Sequence, residues 1–141
     1  MTQTSIVMTH ADHGRLSALL DRIPRDDRRH FQDLRRELGR ARRVEPAEIP
    51  ADVVTMDSTV HLRELETGEL WTFTLCYPED ADIREDRISI LSPVGTAIVG
   101  CRVGDVVDWP VPSGSVRIEI EAIAYQPEAA GVFERSEMVG G

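Results

Sequence analysis

The sequence predicts an α+β fold in which a short antiparallel helical hairpin precedes a small antiparallel β-sheet with one short helix. Two observations predict it. Before residue 44 the apolar residues recur every three or four positions, which is the period of a helix. After residue 52 they alternate, which is the period of a half-buried strand. The chain has 141 residues, 41% of them hydrophobic, enough for one domain with a small appendage.

The hairpin is predicted to follow a short extended arm at residues 5–9. One face of the first helix carries Leu16, Leu19, Leu20 and Ile23. Pro24 ends this helix, because the residue before a proline disfavours helical backbone angles. One face of the second helix carries Phe31, Leu34, Leu38 and Ala41. A tight turn at Pro24 and Arg25 makes the two helices antiparallel. With about 12 to 17 residues in each helix, the hairpin is roughly 18 to 25 Å long.

The second part is predicted to contain five strands and one short helix. The strands lie at residues 59–65, 70–77, 87–91, 103–109 and 116–125. Gly68 supplies the positive φ of the turn between the first two strands. Ser92 caps the helical turns at residues 93–99, with Pro93 at the first helical position.

Prolines mark the predicted division of the chain. Pro46 and Pro50 interrupt both helix and strand in a linker at residues 44–52. The hairpin with its arm then occupies residues 1–43, the sheet domain residues 53–131, and a frayed tail residues 132–141.

Charge divides the chain at the same place. All 16 basic residues are arginines; residues 1–43 carry 10 of them and 6 acids, a net charge of +4. The remainder carries 6 arginines and 19 acids, a net charge of −13, which repels nucleic acid and disfavours direct binding of DNA. No stretch approaches the roughly 18 apolar residues of a membrane span. Residues 1–12 lack the basic segment and apolar stretch of a secretory signal, so we expect none. Two cysteines are too few for a disulfide framework, so we expect a cytoplasmic protein with reduced thiols.

The residues that carry chemistry give little sign of an enzyme. There is no phosphate-binding loop, nucleophile elbow or metal-spaced cluster, so we expect no catalytic residue, cofactor or metal. His10 and His13 are either half of a zinc site or residues at a helix entry. His61 is expected either on the sheet surface or packed against its neighbours, and Cys76 and Cys101 are expected to be small buried hydrophobes.

Two groups of carboxylates have two interpretations each. Asp26 and Asp27 either cap the second helix or present acids to a metal at the hairpin tip. The second group either forms a solvated loop or contacts a basic partner; its members are Glu79, Asp80, Asp82, Glu85 and Asp86.

Several segments, in this order along the chain, resemble the Gre-factor family of bacterial transcription elongation factors. They are Asp52-Val-Val-Thr-Met-Asp-Ser58, Tyr77-Pro-Glu-Asp-Ala-Asp82, Ser92-Pro-Val-Gly-Thr-Ala-Ile-Val-Gly100, Val103-Gly-Asp105 and Tyr125-Gln-Pro-Glu-Ala-Ala-Gly131. The last segment is most similar to the short branch called regulator of nucleoside diphosphate kinase. The resemblance covers residues 45–131, while the hairpin matches in layout more than in residues.

The resemblance implies an FKBP-like sheet domain that docks at the rim of the RNA polymerase secondary channel. Docking would involve Ser92, Pro93, Val94 and Gly95, although Gly95 and Ala97 are equally explained by close packing of helix on sheet. In cleavage-stimulating Gre factors, acids at the tip of a long hairpin help to hold a second Mg²⁺. Here the hairpin is short. We therefore expect the tip, Arg25, Asp26 and Asp27, to stop short of the catalytic centre, and the protein to compete with Gre factors without stimulating transcript cleavage.

Two other functions remain as alternatives. A prolyl isomerase would need an aromatic-lined pocket, and only 5% of the residues are aromatic. The branch name suggests a direct or indirect effect on nucleoside diphosphate kinase. We expect no membrane partner and no small-molecule substrate, and at most an indirect DNA contact; the sequence leaves the oligomeric state open.

Overall fold

A computed structural model describes residues 6–131. The predicted tail and the start of the predicted arm lie outside these residues. The helices of the described part are α1 His10–Asp21, α2 Gln32–Arg40 and α3 Pro93–Ile98. Its strands are β1 Val7–Thr9, β2 Arg42–Val44, β3 Thr59–Glu64, β4 Leu70–Cys76, β5 Arg87–Ser89, β6 Val106–Val111 and β7 Gly114–Tyr125. None of the helices in residues 6–131 has the length and apolarity needed to cross a membrane.

Helix α1 agrees with its prediction. Thr9 caps it, because the Thr9 hydroxyl accepts a 3.0 Å hydrogen bond from the Asp12 backbone N–H. The helix ends at Asp21, three residues before Pro24, and its residues Leu16 and Leu20 are fully buried.

The predicted start of the second helix is wrong. Residues Arg25–Phe31 form a 3₁₀-helix that begins after Pro24, with no side-chain cap, so neither Asp26 nor Asp27 caps an α-helix. Helix α2 begins only at Gln32 and has nine residues, and no tight turn at Pro24 and Arg25 joins the helices. The reason is packing: residues 25–31 include no buried side chain, and burial of an apolar face supplies most of a helix's stability in proteins.

Contacts between α1 and α2 follow the order expected for helices that run in opposite directions. His13 Nε2, early in α1, lies 2.9 Å from the carbonyl oxygen of Leu38, late in α2. Arg35, early in α2, donates a 2.9 Å hydrogen bond to the carbonyl oxygen of Leu20, late in α1.

Strands β1 and β2 form a two-stranded parallel sheet, which pairs Val7 with Arg42 and Thr9 with Val44. The sequence predicted the arm but assigned Arg42 to the hairpin segment at residues 1–43 and not to a strand. Local periodicity does not show this pairing, because its two strands are more than 30 residues apart.

The main sheet has five strands in the order β5-β4-β3-β7-β6. The prediction of an antiparallel sheet is wrong at one edge, where β5 runs parallel to β4. Between these strands the chain makes two 3₁₀ turns, Pro78–Asp80 and Ile83–Glu85, and returns to enter the sheet in the same direction. Strand β6 also begins three residues later than predicted, because Gly104, with a φ of 97°, and Asp105 form a turn.

The sheet curls around α3, which contacts β5 and β6, the strands at its opposite edges. One hydrophobic core contains residues of both parts of the chain, among them Leu20 and Leu34 from the helices and Leu62 and Ile120 from the sheet. The apolar faces of α1 and α2 are therefore packed against the sheet domain.

Candidate functional site

The predicted docking segment is the first turn of α3. The Ser92 hydroxyl accepts a 3.0 Å hydrogen bond from the Gly95 N–H and donates a 2.7 Å hydrogen bond to the carbonyl oxygen of Ser89. Ser92 is thus the predicted cap, and it also ties α3 to the end of β5. Within this segment Pro93 is exposed, Ser92 is half-buried, and Val94 and Gly95 are buried.

Close packing explains Gly95. A Cβ added there would overlap the Ser89 carbonyl oxygen and lie 3.0 Å from the Ile90 Cα, and neither backbone atom can move freely. Glycine is needed for this approach of helix to strand. Pro93 is the member of the predicted set whose side chain is available to a partner.

The hairpin tip, Arg25, Asp26 and Asp27, is exposed. The Asp27 N–H donates to the Pro24 carbonyl oxygen, 2.9 Å away. In residues 6–131 no group of three or more histidine, cysteine or acidic side chains is placed to hold a metal ion.

A groove of about 470 Å³ lies between the residue before the docking segment and the hairpin, and Asp27 is the residue of the predicted tip that lines it. Leu91, which precedes the docking segment, forms one side, and residues from α1 and the tip form the other. The lining residues are Leu19, Arg22, Ile23, Pro24, Asp27, His30, Phe31 and Leu91. The surface of the groove is mainly apolar, and Arg22 and Asp27 are the charged residues among those that line it.

A polar contact that the sequence did not predict holds α1 against the sheet domain. The Tyr77 hydroxyl donates a 2.9 Å hydrogen bond to Oδ1 of Asp12, and the Arg15 guanidinium lies 3.6 Å from the centre of the Tyr77 ring. Arg15 also pairs with Glu79, so one acid of the charged loop contacts a basic group of the same chain. Glu79's own backbone hydrogen bond and the bond from Arg15 lower the pKa of that carboxyl.

A second buried network holds the Tyr125–Gly131 segment. The Gln126 side-chain amide donates to the carbonyl oxygens of Pro50 and Val53, at 2.8 and 2.7 Å. The Thr55 hydroxyl donates a 2.8 Å bond to Glu128. Gln126 and Glu128 of the Tyr125–Gly131 segment therefore have a structural role. Their polar side chains alone did not indicate this role in the sequence.

The remaining candidate residues take ordinary structural positions. His10 pairs with Glu45, and His13 contacts Leu38. His61 lies on the sheet surface beside Thr72, at 2.8 Å. Cys76 is buried as expected, whereas Cys101 is only half-buried. Desolvation raises the pKa of Cys76 to about 11 and of Cys101 to about 12, so both are largely protonated thiols at neutral pH.

Comparison with known proteins adds two family matches and close relatives. Residues 49–125 match "Transcription elongation factor, GreA/GreB, C-term", and residues 4–44 match "Rnk N-terminus". The regulator of nucleoside diphosphate kinase of Escherichia coli (strain K12) is 38% identical over 134 residues, which cover 94% of this chain and 98% of that protein. Transcription elongation factor GreA of Thermodesulfovibrio yellowstonii is 33% identical over 96 residues, 68% of this chain and 61% of that protein.

A solved structure of a prokaryotic transcription elongation factor GreA/GreB from Nitrosomonas europaea has a similar fold. Its TM-score is 0.76 at 42% sequence identity, and the match covers 87% of this chain and all of that one.

Proposed function

The chain belongs to the GreA/GreB family of transcription elongation factors, and we propose that it is an RNA polymerase-binding regulator that docks at the secondary channel without stimulating transcript cleavage. It would compete there with cleavage-competent Gre factors, in the bacterial cytoplasm, with DNA contacts made through the polymerase. The family membership supports polymerase as the partner. The geometry of the hairpin supports the absence of cleavage activity.

The observation that carries the proposal is the shortness of the hairpin together with its burial. Helices α1 and α2 have 12 and 9 residues, which at 1.5 Å per residue is about 18 and about 14 Å. Their apolar faces are packed into the core of the sheet domain. Two-metal catalysis requires a carboxylate in direct reach of the metal ions. Acids on a short hairpin held against its own domain are poorly placed to enter a polymerase active site.

The groove supports a docking surface made by both parts of the chain. Half-buried Leu91 forms the α3 side of the groove, two residues before exposed Pro93, and Pro24 and Phe31 lie on the hairpin side. A polymerase segment bound at Ser92, Pro93, Val94 and Gly95 would thus also meet residues next to Asp27. The five-stranded curled sheet around a short helix is consistent with the FKBP-like domain of the proposal.

A regulator of nucleoside diphosphate kinase is the second candidate, favoured by the 38% identity to the Escherichia coli protein of that name. If the effect is direct, the purified protein should change the rate of purified nucleoside diphosphate kinase. If the rate is unchanged, a direct effect is excluded.

A binding titration against core RNA polymerase tests the main proposal. We expect saturable binding that a cleavage-competent Gre factor displaces competitively. Absence of binding at micromolar protein, or binding that the Gre factor does not displace, would contradict docking at the secondary channel.

A further inference from the structure

The curl of the main sheet brings two indoles together at one end of its concave face. Trp71 lies on β4 and Trp109 on β6, and the sheet order places two other strands between them. Their ring centroids are nevertheless 5.6 Å apart, with ring planes at 87°. They are the two tryptophans of the whole sequence.

Glu64 lies on the same concave face. Along β3, buried Val60, Leu62 and Glu64 alternate with more exposed residues, and Glu64 is only 8% exposed. Its direct neighbour on β7 is Ile118, and Trp71 lies opposite Leu62 on β4. A carboxylate therefore shares an apolar surface with two indoles.

In the described part of the chain, the Glu64 carboxylate forms no hydrogen bond and no ion pair. The nearby Arg63 is on the other face of the sheet, where it pairs with Glu121. Arg117 is exposed and alternates with inward-facing Ile118. An unpaired carboxylate beside apolar side chains is stabilised when a cation approaches and forms charge-assisted hydrogen bonds with it.

The carboxylate also remains open to a ligand. No side-chain oxygen of the described residues is both completely buried and unbonded, so the Glu64 oxygens retain contact with solvent. Glu66 and Glu69, in the exposed turn that follows β3, add negative charge beside it. The electrostatic field at this end of the sheet therefore attracts cations.

We propose that Glu64, Trp71 and Trp109 form a binding site for the guanidinium group of an arginine side chain presented by a partner protein. The faces of indole rings attract cations, and a planar guanidinium stacks on them better than an ammonium does. The same group donates two parallel N–H bonds to a carboxylate. An arginine thus satisfies both parts of the site, the aromatic surface and the unpaired acid.

The two indole N–H signals in a ¹H–¹⁵N correlation spectrum report on this site alone. We expect N-acetyl-arginine methylamide, titrated at constant ionic strength, to shift both signals with saturation in the millimolar range. The neutral isostere N-acetyl-citrulline methylamide should leave them in place. Glu64→Gln should lower the affinity for the arginine derivative by about tenfold, because the charge-assisted hydrogen bonds are lost. Glu66→Gln, a matched change in the exposed turn, should retain most of the affinity.

The backbone signals of the same spectra show whether each variant is folded. Trp109→Leu provides a second test in which the Trp71 indole remains as the reporter, and it should also weaken binding. The proposal is overturned if the arginine derivative shifts neither indole signal up to its solubility limit. It is equally overturned if folded Glu64→Gln binds as well as the unaltered protein.

Discussion

The hydroxyl of Tyr77 donates a 2.9 Å hydrogen bond to Oδ1 of Asp12 and so connects the sheet domain to the first helix. Both residues are buried, at 2% and 5% exposure. Arg15, one turn further along α1, covers the Tyr77 ring and pairs with Glu79. These contacts fix the hairpin against the domain, which the proposed function requires if the tip is to stay away from the catalytic centre.

Removing this hydrogen bond should destabilise the protein. For Tyr77→Phe we expect the free energy of unfolding to fall by about 1 to 2 kcal/mol, since the Asp12 carboxyl loses a buried donor. Urea denaturation measures the change. Tyr125→Phe is the matched control, because Tyr125 is 43% exposed, and its effect should be within about 0.5 kcal/mol. Equal effects of the two substitutions would show that the Tyr77 bond contributes nothing specific.

The Tyr77 phenol should resist ionisation in the native protein. Burial, and then the neighbouring Asp12, raise its pKa well above the ordinary value of 10.0. Because the folded-state pKa is raised, the stability that this group contributes is present below pH 10 and is lost as the pH rises above it. In the Tyr125→Phe variant, phenolate absorbance should be missing from the native protein at about pH 11 and appear in urea. Phenolate formation by the native variant near pH 10 would contradict this prediction.

Gly95→Ala should destabilise the protein, because the added Cβ would overlap the backbone of Ser89 and Ile90. We expect a loss of about 1 to 3 kcal/mol in the free energy of unfolding. Gly14→Ala is the control in α1: nothing lies within 4 Å of its Cβ, and it should stabilise by about 0.5 to 1 kcal/mol. Thermal or urea unfolding of both variants tests the pair, and a neutral Gly95→Ala would refute the packing explanation.

Pro93 offers a way to separate docking from folding. Pro93→Ala removes an exposed ring from the first turn of α3, so we expect little change in stability and about a tenfold loss of affinity for core RNA polymerase. Pro46→Ala, which changes a proline at the start of a 3₁₀ turn in the linker, should leave the affinity unchanged. If both variants bind like the unaltered protein, Pro93 is not part of the docking surface.

Local patterns in the sequence were sufficient for most elements of the sheet domain. The alternation of apolar residues after residue 52 predicted β3, in which Val60 and Leu62 are buried, and Ser92 before Pro93 predicted the start of α3. Gly68 has the positive φ, 76°, that the turn required. In each case the signal lies within a few residues of the element, where propensity and capping act.

The features that the sequence did not predict depend on residues far apart in the chain. They include the parallel pairing of β1 with β2, the parallel edge strand β5, and the hydrogen bonds from Tyr77 to Asp12 and from Thr55 to Glu128. For Asp26 and Asp27 the reason differs: their residue types suit a helix cap, but residues 25–31 contain no fully buried side chain that would stabilise an α-helix there. The resemblance named the candidate docking residues, and the structure adds that Pro93 is the exposed one.

Transcript cleavage in backtracked elongation complexes distinguishes docking without cleavage from stimulation of cleavage. Added alone, the protein should produce no cleavage above the intrinsic rate of the polymerase. Added with a cleavage-competent Gre factor, it should reduce the stimulated cleavage in a concentration-dependent way, and extra Gre factor should restore it. The proposed function is contradicted if the protein itself stimulates cleavage and Asp26→Ala/Asp27→Ala abolishes that stimulation. It is also contradicted if the protein leaves Gre-stimulated cleavage unchanged at saturating concentration.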